Sequence, residues 1–430
     1  MSAARLATLA EQRRRGEERG VVSVCSGHPW VIETALVALP PPALIEATCN
    51  QVNQERGYSG MTPADFRRLV DGLAGAAGLA EGAVILGGDH LGPNPWKHLA
   101  AEEAMQRAEA MVAAYVQAGF SKLHLDTSMG CLGEPDALGD EIVAARAARL
   151  AVVAESAARS GVDRPSYVIG TEVPPAGGAR HALDAIEPTL PEAALATLSE
   201  HRRAFAKAGV SDAFGRVVAI VVQPGVEFGP DQVALYEPSK TRGLATVLER
   251  EPHIVFEAHS TDYQPPALLK ALVDDGFAIL KVGPALTFAL REALYGLDRI
   301  ATERDPSRVE RSLETTMERL MTADPTHWQG YYHGQPHEMR LLRHFSYSDR
   351  IRYYWPAPAA KATVAQLIAE LDAEPIPETL VSQFLPRCYE AVRERRIAPT
   401  ARALVAASIR LALRPYADAA VASGLRPPSQ

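Results

Sequence analysis

Eight short apolar runs, rich in Val, Ile and Leu, recur along the first 300 residues of this 430-residue chain. Each run ends in a polar residue or a glycine, and longer segments with helical periodicity separate the runs. Continuous apolar runs of this length are typical of strands in a parallel sheet that is buried on both faces. The predicted strands are Val21–Cys25, Leu44–Ala47, Val84–Leu86, Lys122–Leu125, Ser166–Ile169, Val217–Val222, His253–Phe256 and Ala278–Val282.

The intervening segments predict helices, so strand and helix alternate through this part of the chain. The predicted helices include Pro63–Ala74, Ala101–Ala118, Asp140–Ser160, Pro191–Ala208 and Pro266–Asp275. Eight strand–helix units form a (β/α)8 TIM barrel, which is the α/β fold that we expect. A doubly wound sheet is the alternative, but the chain contains neither the G-x-G-x-x-G turn nor the G-x-x-x-x-G-K-[ST] phosphate loop.

The chain is longer than one barrel, which takes about 250 residues. The strand-like runs stop after Ile300, and four helical patterns follow. They are Ser307–Thr322, Ala360–Ala373, Glu378–Arg395 and Thr400–Pro415. We therefore predict a TIM barrel over residues 1–300 that carries the site, and a helical C-terminal region over residues 301–430 that packs on the barrel.

Charge and hydropathy argue against several classes of protein. The 44 Lys and Arg residues are outnumbered by 52 Asp and Glu residues, and the net charge of −8 argues against a surface for nucleic acid or an anionic membrane. No stretch approaches the ~18 apolar residues that cross a bilayer, and the first residues lack the apolar core of a signal peptide. The four cysteines are widely separated, which argues against a disulfide framework. We expect a cytoplasmic protein.

The reaction site of a TIM barrel is built at the C-terminal ends of the strands. Nearly every predicted strand is followed there by a carboxylate, an imidazole or a carboxamide, a convergence that a purely structural barrel does not need. These residues include Ser26, His28, Asn50, Gln51, Asn53, Asp89, His90, Asp126, Glu172, Gln223, His259 and Ser260. We therefore predict an active site at this rim.

A metal site is the clearest pattern among these residues. Asp89 and His90 follow an apolar strand and two glycines, and they place an acid/base group beside a metal ligand. His259 and Glu172 complete a His/His/carboxylate set, which favours a metal site over a hydrogen-bonded loop. Gln223 is either a further oxygen ligand or a hydrogen-bond donor to substrate.

Two strands carry a second polar residue two positions before the rim residue. On strand four, Asp126 lies at the strand end and is a candidate site carboxylate, whereas His124 lies deeper and is predicted to be structural. On strand seven, Glu257 lies deeper than His259 and is predicted to orient it.

Other polar residues leave two interpretations open. Lys281, within the last strand, suits the Schiff-base lysine of a metal-free aldolase, but that mechanism leaves the metal set without a purpose, so we predict a charge partner. Arg350 and Arg352 lie among aromatic residues and either grip a phosphate or belong to an aromatic-anchored segment. A carboxamide cluster after strand two either binds sugar hydroxyls or forms a hydrogen-bonded loop. Its members are Asn50, Gln51, Asn53 and Gln54.

Nine motifs follow one another along nearly the whole chain. They are VCSGHP (Val24–Pro29), NQVNQ (Asn50–Gln54), GGDHLGPN (Gly87–Asn94), HLDTSM (His124–Met129), IGTEVP (Ile169–Pro174), VVQPGVEF (Val221–Phe228), EAHSTDYQ (Glu257–Gln264), LKVGPALTFALREA (Leu280–Ala293) and SDRIRYYWP (Ser348–Pro356). Together they resemble the Z-type subunit family of tagatose-bisphosphate aldolase, a barrel family similar to class II metal-dependent aldolases. Relatives have been described as a non-catalytic aldolase subunit, a tagatose 6-phosphate kinase, and C4 epimerases of ketoses or ketose phosphates.

The resemblance implies roles for individual residues. Asp89 matches the acid/base aspartate of class II aldolases, His90 and His259 match zinc ligands, and Glu172 matches a strand-five carboxylate. The chain departs from those enzymes at Gln223, where they use a third histidine. We therefore expect a divalent metal, with Zn²⁺ first and Mn²⁺, Co²⁺, Ni²⁺ or Mg²⁺ as alternatives. The expected substrate-binding residues are Ser26, His28, Asn50, Gln51, Asn53, Ser260, Asp262, Lys281, Arg350 and Arg352.

The sequence thus predicts a metal-dependent 4-epimerase that interconverts fructose- and tagatose-type ketoses, free or 6-phosphorylated, by retro-aldol and aldol chemistry at the C3–C4 bond. Asp89 is expected to take the C4 hydroxyl proton, and Glu172 or Asp126 is an alternative carrier for its return. The alternative function is a non-catalytic stabilising subunit of a class II tagatose-1,6-bisphosphate aldolase. A kinase is disfavoured because no nucleotide-phosphate loop is present. The expected partner is a ketose or ketose phosphate, and an aldolase subunit or a second copy of the chain stays open.

Overall fold

The computed structural model describes residues 2–17, 19–158, 163–170 and 186–421, and it confirms the TIM barrel. Eight parallel strands close on themselves in the order β1-β8-β7-β6-β5-β4-β3-β2. They are β1 Val21–Cys25, β2 Ala43–Thr48, β3 Val84–Leu91, β4 Lys122–Leu125, β5 Ser166–Gly170, β6 Val217–Val221, β7 Val255–Ala258 and β8 Ile279–Val282. A two-stranded ribbon, Glu227–Phe228 with Val233–Ala234, follows β6 outside the barrel.

Helices cover the outside of the barrel and extend beyond it. In chain order they are α1 Ser2–Arg14, α2 Pro29–Ala38, α3 Pro63–Ala76, α4 Ala101–Gln117, α5 Asp140–Ala158, α6 Pro191–Lys207, α7 Ser211–Phe214, α8 Pro238–Thr241, α9 Ala245–Arg250, α10 Pro266–Asp274, α11 Pro284–Arg304, α12 Leu313–Ala323, α13 Pro336–Phe345, α14 Pro358–Asp372, α15 Glu378–Phe384, α16 Pro386–Arg393 and α17 Ala401–Ala420. Short 3-10 helices lie at Asn94–Trp96, Arg242–Leu244, Pro306–Arg311, Pro325–His327 and Arg350–Tyr354. None of the helices in the described residues is long and apolar enough to cross a membrane.

Strand β3 is five residues longer than the sequence predicts and carries Asp89 and His90 within it. Its pairing with β2 runs as far as Thr48 opposite Asp89, and its register with β4 shifts between Gly88 and Leu91. Gly87 allows the Glu46 side chain to approach the β3 backbone closely, because a Cβ atom at position 87 would lie only 2.6 Å from that side chain. The glycine pair thus marks crowding inside the barrel and not the end of the strand.

Helix α1 closes the end of the barrel opposite the rim. Its side chains Leu6 and Leu9 are buried in one apolar cluster with strand residues such as Leu44, Ile85 and Val168. This helix leaves the rim as the accessible end of the barrel.

The C-terminal helices pack on the barrel, most directly through α17, which contacts α2, α10 and α11. The Tyr416 hydroxyl on α17 donates a hydrogen bond of 2.6 Å to the Thr261 carbonyl after β7. The predicted helix Glu378–Arg395 is instead two helices that meet at Pro386, while α17 continues through Pro415 to Ala420. The predicted division near residue 300 stays a prediction, because α11 runs across it.

Candidate active site

A cavity of about 1750 Å³ opens at the C-terminal ends of the strands, at the predicted rim. Its floor is formed by Asp89, His90, His259 and Lys281. Its far wall comes from the region beyond the barrel and includes the segment from Arg350 to Pro356. The helical region therefore supplies part of the site as well as packing on the barrel.

Asp89 lies on the cavity floor with only 2% of its surface exposed. Its Oδ1 atom lies 2.7 Å from the Lys281 ammonium and 3.0 Å from His124 Nδ1. Its Oδ2 atom accepts a 3.5 Å hydrogen bond from the Cys25 thiol. Burial opposes ionisation of this carboxyl, but the neighbouring charges of His90 and Lys281 outweigh it and hold its pKa well below the usual range. Asp89 is therefore a carboxylate at neutral pH.

Three imidazoles surround Asp89. The ring centroids of His90, His124 and His259 lie 4.8 to 5.1 Å from one another. One ligand atom from each ring and one from the Asp89 carboxylate all lie within 4.8 Å of one another. Three imidazole nitrogens and a carboxylate are a donor set that suits zinc and related divalent ions.

The second nitrogen of His90 and of His259 is held by a carboxylate. His90 Nδ1 lies 2.7 Å from Asp126 Oδ2, and His259 Nε2 lies 2.9 Å from Glu257 Oε1. Such contacts fix the tautomer and the ring orientation of metal-binding histidines. Burial lowers the pKa of His259 to about 3 in spite of Glu257, so its ring is neutral, as a metal ligand must be.

The hydrogen bonds of His124 bear directly on whether a cation fits this site. His124 Nε2 donates to the Gly170 carbonyl at 2.9 Å, and the His90 backbone N–H donates to Nδ1 at 3.3 Å. The same Nδ1 atom lies 3.0 Å from the Asp89 carboxylate, so the His124 ring packs against both His90 and Asp89. The three rings and this carboxylate place ligand atoms within 4.8 Å of one another, which fits a divalent metal.

Two of the predicted ligands are not among the described residues of this cluster. Glu172 lies outside the described residues. Gln223 is buried after β6, and its Oε1 atom accepts hydrogen bonds from the Gly225 and Val226 backbone N–H groups at 2.8 and 2.9 Å. That oxygen is committed to its own loop, and Gln223 is not among the residues that line the cavity.

The polar residues after β1 and β2 line the cavity, and most of their polar atoms also fix the loops. Ser26 Oγ accepts the His28 N–H, and His28 Nδ1 accepts the Trp30 N–H at the start of α2. Gln51 Oε1 accepts the Thr48 N–H at 3.0 Å. The residues on this side of the cavity therefore fit both predicted roles, contact with a sugar and hydrogen bonding within their loops.

The other carboxamides also divide between forming hydrogen bonds within their loop and lining the cavity. Asn53 donates to the Cys49 carbonyl at 2.9 Å and accepts the Glu55 N–H at 2.9 Å, yet it also lines the cavity. Asn50 lines the cavity, whereas the Gln54 side chain donates to the Arg107 carbonyl.

After β7, Ser260 and Asp262 are buried at the cavity wall. Ser260 has a positive φ of 51° and its hydroxyl donates to Glu227 Oε2 at 3.2 Å. Asp262 Oδ1 accepts the Gly283 and Ala285 N–H groups at 3.1 and 2.7 Å, at the start of α11. Burial raises the pKa of Asp262 to about 6, although these two hydrogen bonds favour the ionised form.

Arg350 and Arg352 line the opposite wall among aromatic rings. The Arg350 guanidinium carbon lies 3.4 Å from the Tyr331 ring centroid, and the Arg352 guanidinium carbon lies 4.6 Å from that of Tyr353. Both arginines donate to backbone carbonyls, Arg350 to His327 and Arg352 to Asp349. Within the described part of the chain, neither guanidinium forms an ion pair with a carboxylate. Their charges are thus available to an anion in the cavity.

His124, predicted to lie deeper than Asp126 and to be structural, is fully buried on β4 and does not line the cavity. Its structural role stays a prediction, although its ring lies against Asp89. Sequence reasoning missed the cavity residues Tyr58, His327 and Tyr331. Tyr58 lies far from the other two along the chain, so no local pattern brings the three together.

Comparison with known proteins places the chain among sugar-metabolising proteins. The family model described as D-tagatose-1,6-bisphosphate aldolase subunit GatZ/KbaZ-like matches residues 6–421. A protein of Agrobacterium fabrum (strain C58 / ATCC 33970), named D-tagatose 6-phosphate 4-epimerase, is 56% identical over 384 residues, which cover 88% of this chain and 90% of that protein. The crystal structure of a probable tagatose 6 phosphate kinase from Sinorhizobium meliloti 1021 is 54% identical, covers 93% of this chain and 100% of that one, and gives a TM-score of 0.86.

Proposed function

The chain belongs to the D-tagatose-1,6-bisphosphate aldolase subunit GatZ/KbaZ-like family, and on this basis we propose that it is a metal-dependent 4-epimerase of ketose 6-phosphates of the fructose and tagatose type. One observation carries the proposal: an ionised, buried Asp89 lies beside three imidazoles where the cavity meets the barrel. A relative named D-tagatose 6-phosphate 4-epimerase, 56% identical, supports the substrate class. We propose a cytoplasmic place of action.

The metal would be held by His90 and His259. When bound, a divalent ion supplies Lewis acidity that draws electrons toward the substrate's C2 carbonyl. Asp126 and Glu257 hold the rings of His90 and His259 in the orientation described above. Zn²⁺ suits this nitrogen-rich set best.

Asp89 is the acid/base residue in this proposal. Its Oδ2 atom accepts the proton of the C4 hydroxyl as the C3–C4 bond breaks, which leaves an aldehyde at C4 and an electron pair on the C2–C3 unit. The aldehyde then presents its other face, C3 attacks C4, and Asp89 returns the proton to the new C4 oxygen. The product is the C4 epimer, and no oxidant or reductant is consumed. Glu172 remains a second candidate for the returning proton.

Purified alone and supplied with a divalent metal, the chain is expected to interconvert fructose 6-phosphate and tagatose 6-phosphate without releasing triose. The reason is that both halves of the reaction use groups on this one cavity floor. Epimer ratios by NMR or chromatography, measured beside a triose assay, check this. The family's description as an aldolase subunit supports one rival, a stabilising subunit. An inactive chain that raises the activity or stability of a class II aldolase would favour that rival.

Arg350→Ala and Arg352→Ala are each expected to raise KM for the phosphorylated ketose about 10-fold or more and to change KM for the free ketose much less. A charge-assisted hydrogen bond to phosphate contributes about 1.5 to 3 kcal/mol, which corresponds to this factor. Steady-state kinetics on both sugars check this. Arg352→Lys is the matched control, because it keeps the charge but loses the planar fork and should give a smaller effect. Equal effects on both sugars would make the arginines structural.

A further inference from the structure

Lys122 is a fully buried lysine in the barrel interior, on β4, that the reaction described above does not use. Its Nζ atom lies 2.6 Å from Glu46 Oε1 and 2.7 Å from Glu257 Oε2. All three side chains have no exposed surface, and neither Lys122 nor Glu46 lines the cavity. Burial opposes protonation of Lys122, but the two carboxylates outweigh it and raise its pKa. The lysine is therefore charged.

From Glu46 the contacts continue to the acid/base residue. Glu46 Oε2 lies 2.8 Å from the Lys281 ammonium, and that ammonium lies 2.7 Å from Asp89 Oδ1. Lys281 contacts Oδ1 of Asp89, while Oδ2 accepts a hydrogen bond from the Cys25 thiol. The orientation of the Asp89 carboxylate is thus coupled to the position of Glu46.

From Glu257 the contacts continue to the proposed metal site. Glu257 uses Oε2 for Lys122 and Oε1 for His259 Nε2, at 2.7 and 2.9 Å. Lys122 therefore fixes the rotation of the carboxylate that in turn fixes the imidazole. The series Asp89, Lys281, Glu46, Lys122, Glu257 and His259 alternates in charge from the acid/base residue to the proposed ligand.

A series of buried charges is an unfavourable way to stabilise a fold if its role is purely structural. The interior of a TIM barrel is ordinarily filled by branched apolar side chains. Replacing a buried ion pair by packed apolar groups is often neutral or stabilising, because removing charges from water is unfavourable. Two ammonium groups and three carboxylates alternate here, so one net negative charge remains, and it complements a bound cation.

We propose that Lys122 and Glu46 are positioning residues of the reaction, which fix His259 through Glu257 and Asp89 through Lys281 without touching the substrate. The proposal rests on the proposed function for its kinetic part. Its metal-binding part is independent of which sugar the enzyme turns over.

Lys122→Met keeps an unbranched apolar stem and removes the charge, and Glu46→Gln keeps the volume and removes the charge. Each is expected to lower kcat by about 10- to 100-fold and to weaken metal binding by a similar factor, since changes behind a ligand have effects of this size. KM should stay within about twofold, since neither residue lines the cavity. The metal dissociation constant is measured with Zn²⁺ by chelator competition, and kcat and KM are measured at saturating Zn²⁺.

Arg308→Met is the matched control. Arg308 is a buried cation that also bridges two carboxylates, Asp298 at 3.2 Å and Glu370 at 2.7 Å, but away from the cavity. It should lower the melting temperature with kcat and metal affinity at wild-type values, which separates a loss of stability from a loss of positioning.

Wild-type kcat and metal affinity in both site variants would overturn the proposal, and so would an equal loss in Arg308→Met. If Lys122→Met does not fold, Glu46→Gln decides alone. If the wild type binds Zn²⁺ but turns over no ketose, the proposed function fails and the metal affinities still decide the positioning role. If the wild type binds no divalent ion, both proposals fall.

Discussion

Asp89→Asn is expected to lower kcat by about 10²-fold or more while the protein stays folded and keeps its metal. The amide preserves the shape of the side chain and can still accept a hydrogen bond from Lys281 at Oδ1. It cannot accept the C4 hydroxyl proton, so only the proton-transfer step is removed. Turnover of the ketose 6-phosphate, metal content and the melting temperature are the measurements.

The matched control is Asp71→Asn, which neutralises an exposed aspartate on α3 that pairs with Arg67. This variant should match the wild type in kcat and metal content. Wild-type turnover in Asp89→Asn would remove Asp89 from the reaction. An inactive wild type would favour the aldolase-subunit function instead.

The barrel was predictable from sequence because its signal is local. Each strand is a short apolar run, and Lys122–Leu125 was predicted with both ends correct. Strand β3 was cut short because its apolar run ends at Gly87 and Gly88. In the structure these glycines lie within the strand, where the Glu46 and Tyr115 side chains fill the space that a Cβ atom would need. That crowding is a contact between distant parts of the chain, so the local pattern could not show it.

The site was predictable to the extent that it follows the rim of the barrel. Asp89, His90 and His259 were expected together, and the structure places them together. The contact between His124 Nδ1 and Asp89 Oδ1 joins side chains of neighbouring strands, so the local sequence pattern could not show it. The wall that contains Tyr331 and Arg350 depends on how the C-terminal region packs, and no periodicity encodes that packing.

Charge placement distinguishes this barrel interior from a structural one. The α1 end is apolar, with residues such as Leu44 and Ile85 in one cluster, whereas the rim end carries the alternating charges that begin at Asp89. The apolar end stabilises the fold because apolar surface is buried there. Burying charges at the other end lowers the free energy of unfolding that this burial provides. The chemistry at the rim is the compensating reason for retaining the charges.

The metal itself gives the second large expected effect. The double variant His90→Ala/His259→Ala is expected to bind no stoichiometric divalent ion and to lose about 10³-fold or more in kcat, since Lewis-acid stabilisation contributes several kcal/mol to such a reaction. Removing both rings takes away the two proposed ligands of the cluster, so no tetrahedral site can be completed from its described residues. Elemental analysis after dialysis and anomalous scattering from crystals measure the metal, and an assay with added Zn²⁺ measures kcat.

His253→Ala/His337→Ala removes two exposed imidazoles and serves as the matched control, with wild-type metal content and kcat expected. Chelation of the wild type should reproduce the inactivity of the site variant, and readdition of Zn²⁺ should restore only the wild type and the control. This difference in rescue separates loss of the ion from damage to the fold. A site variant that holds one ion per chain with normal turnover would show that the three-imidazole cluster is not the metal site.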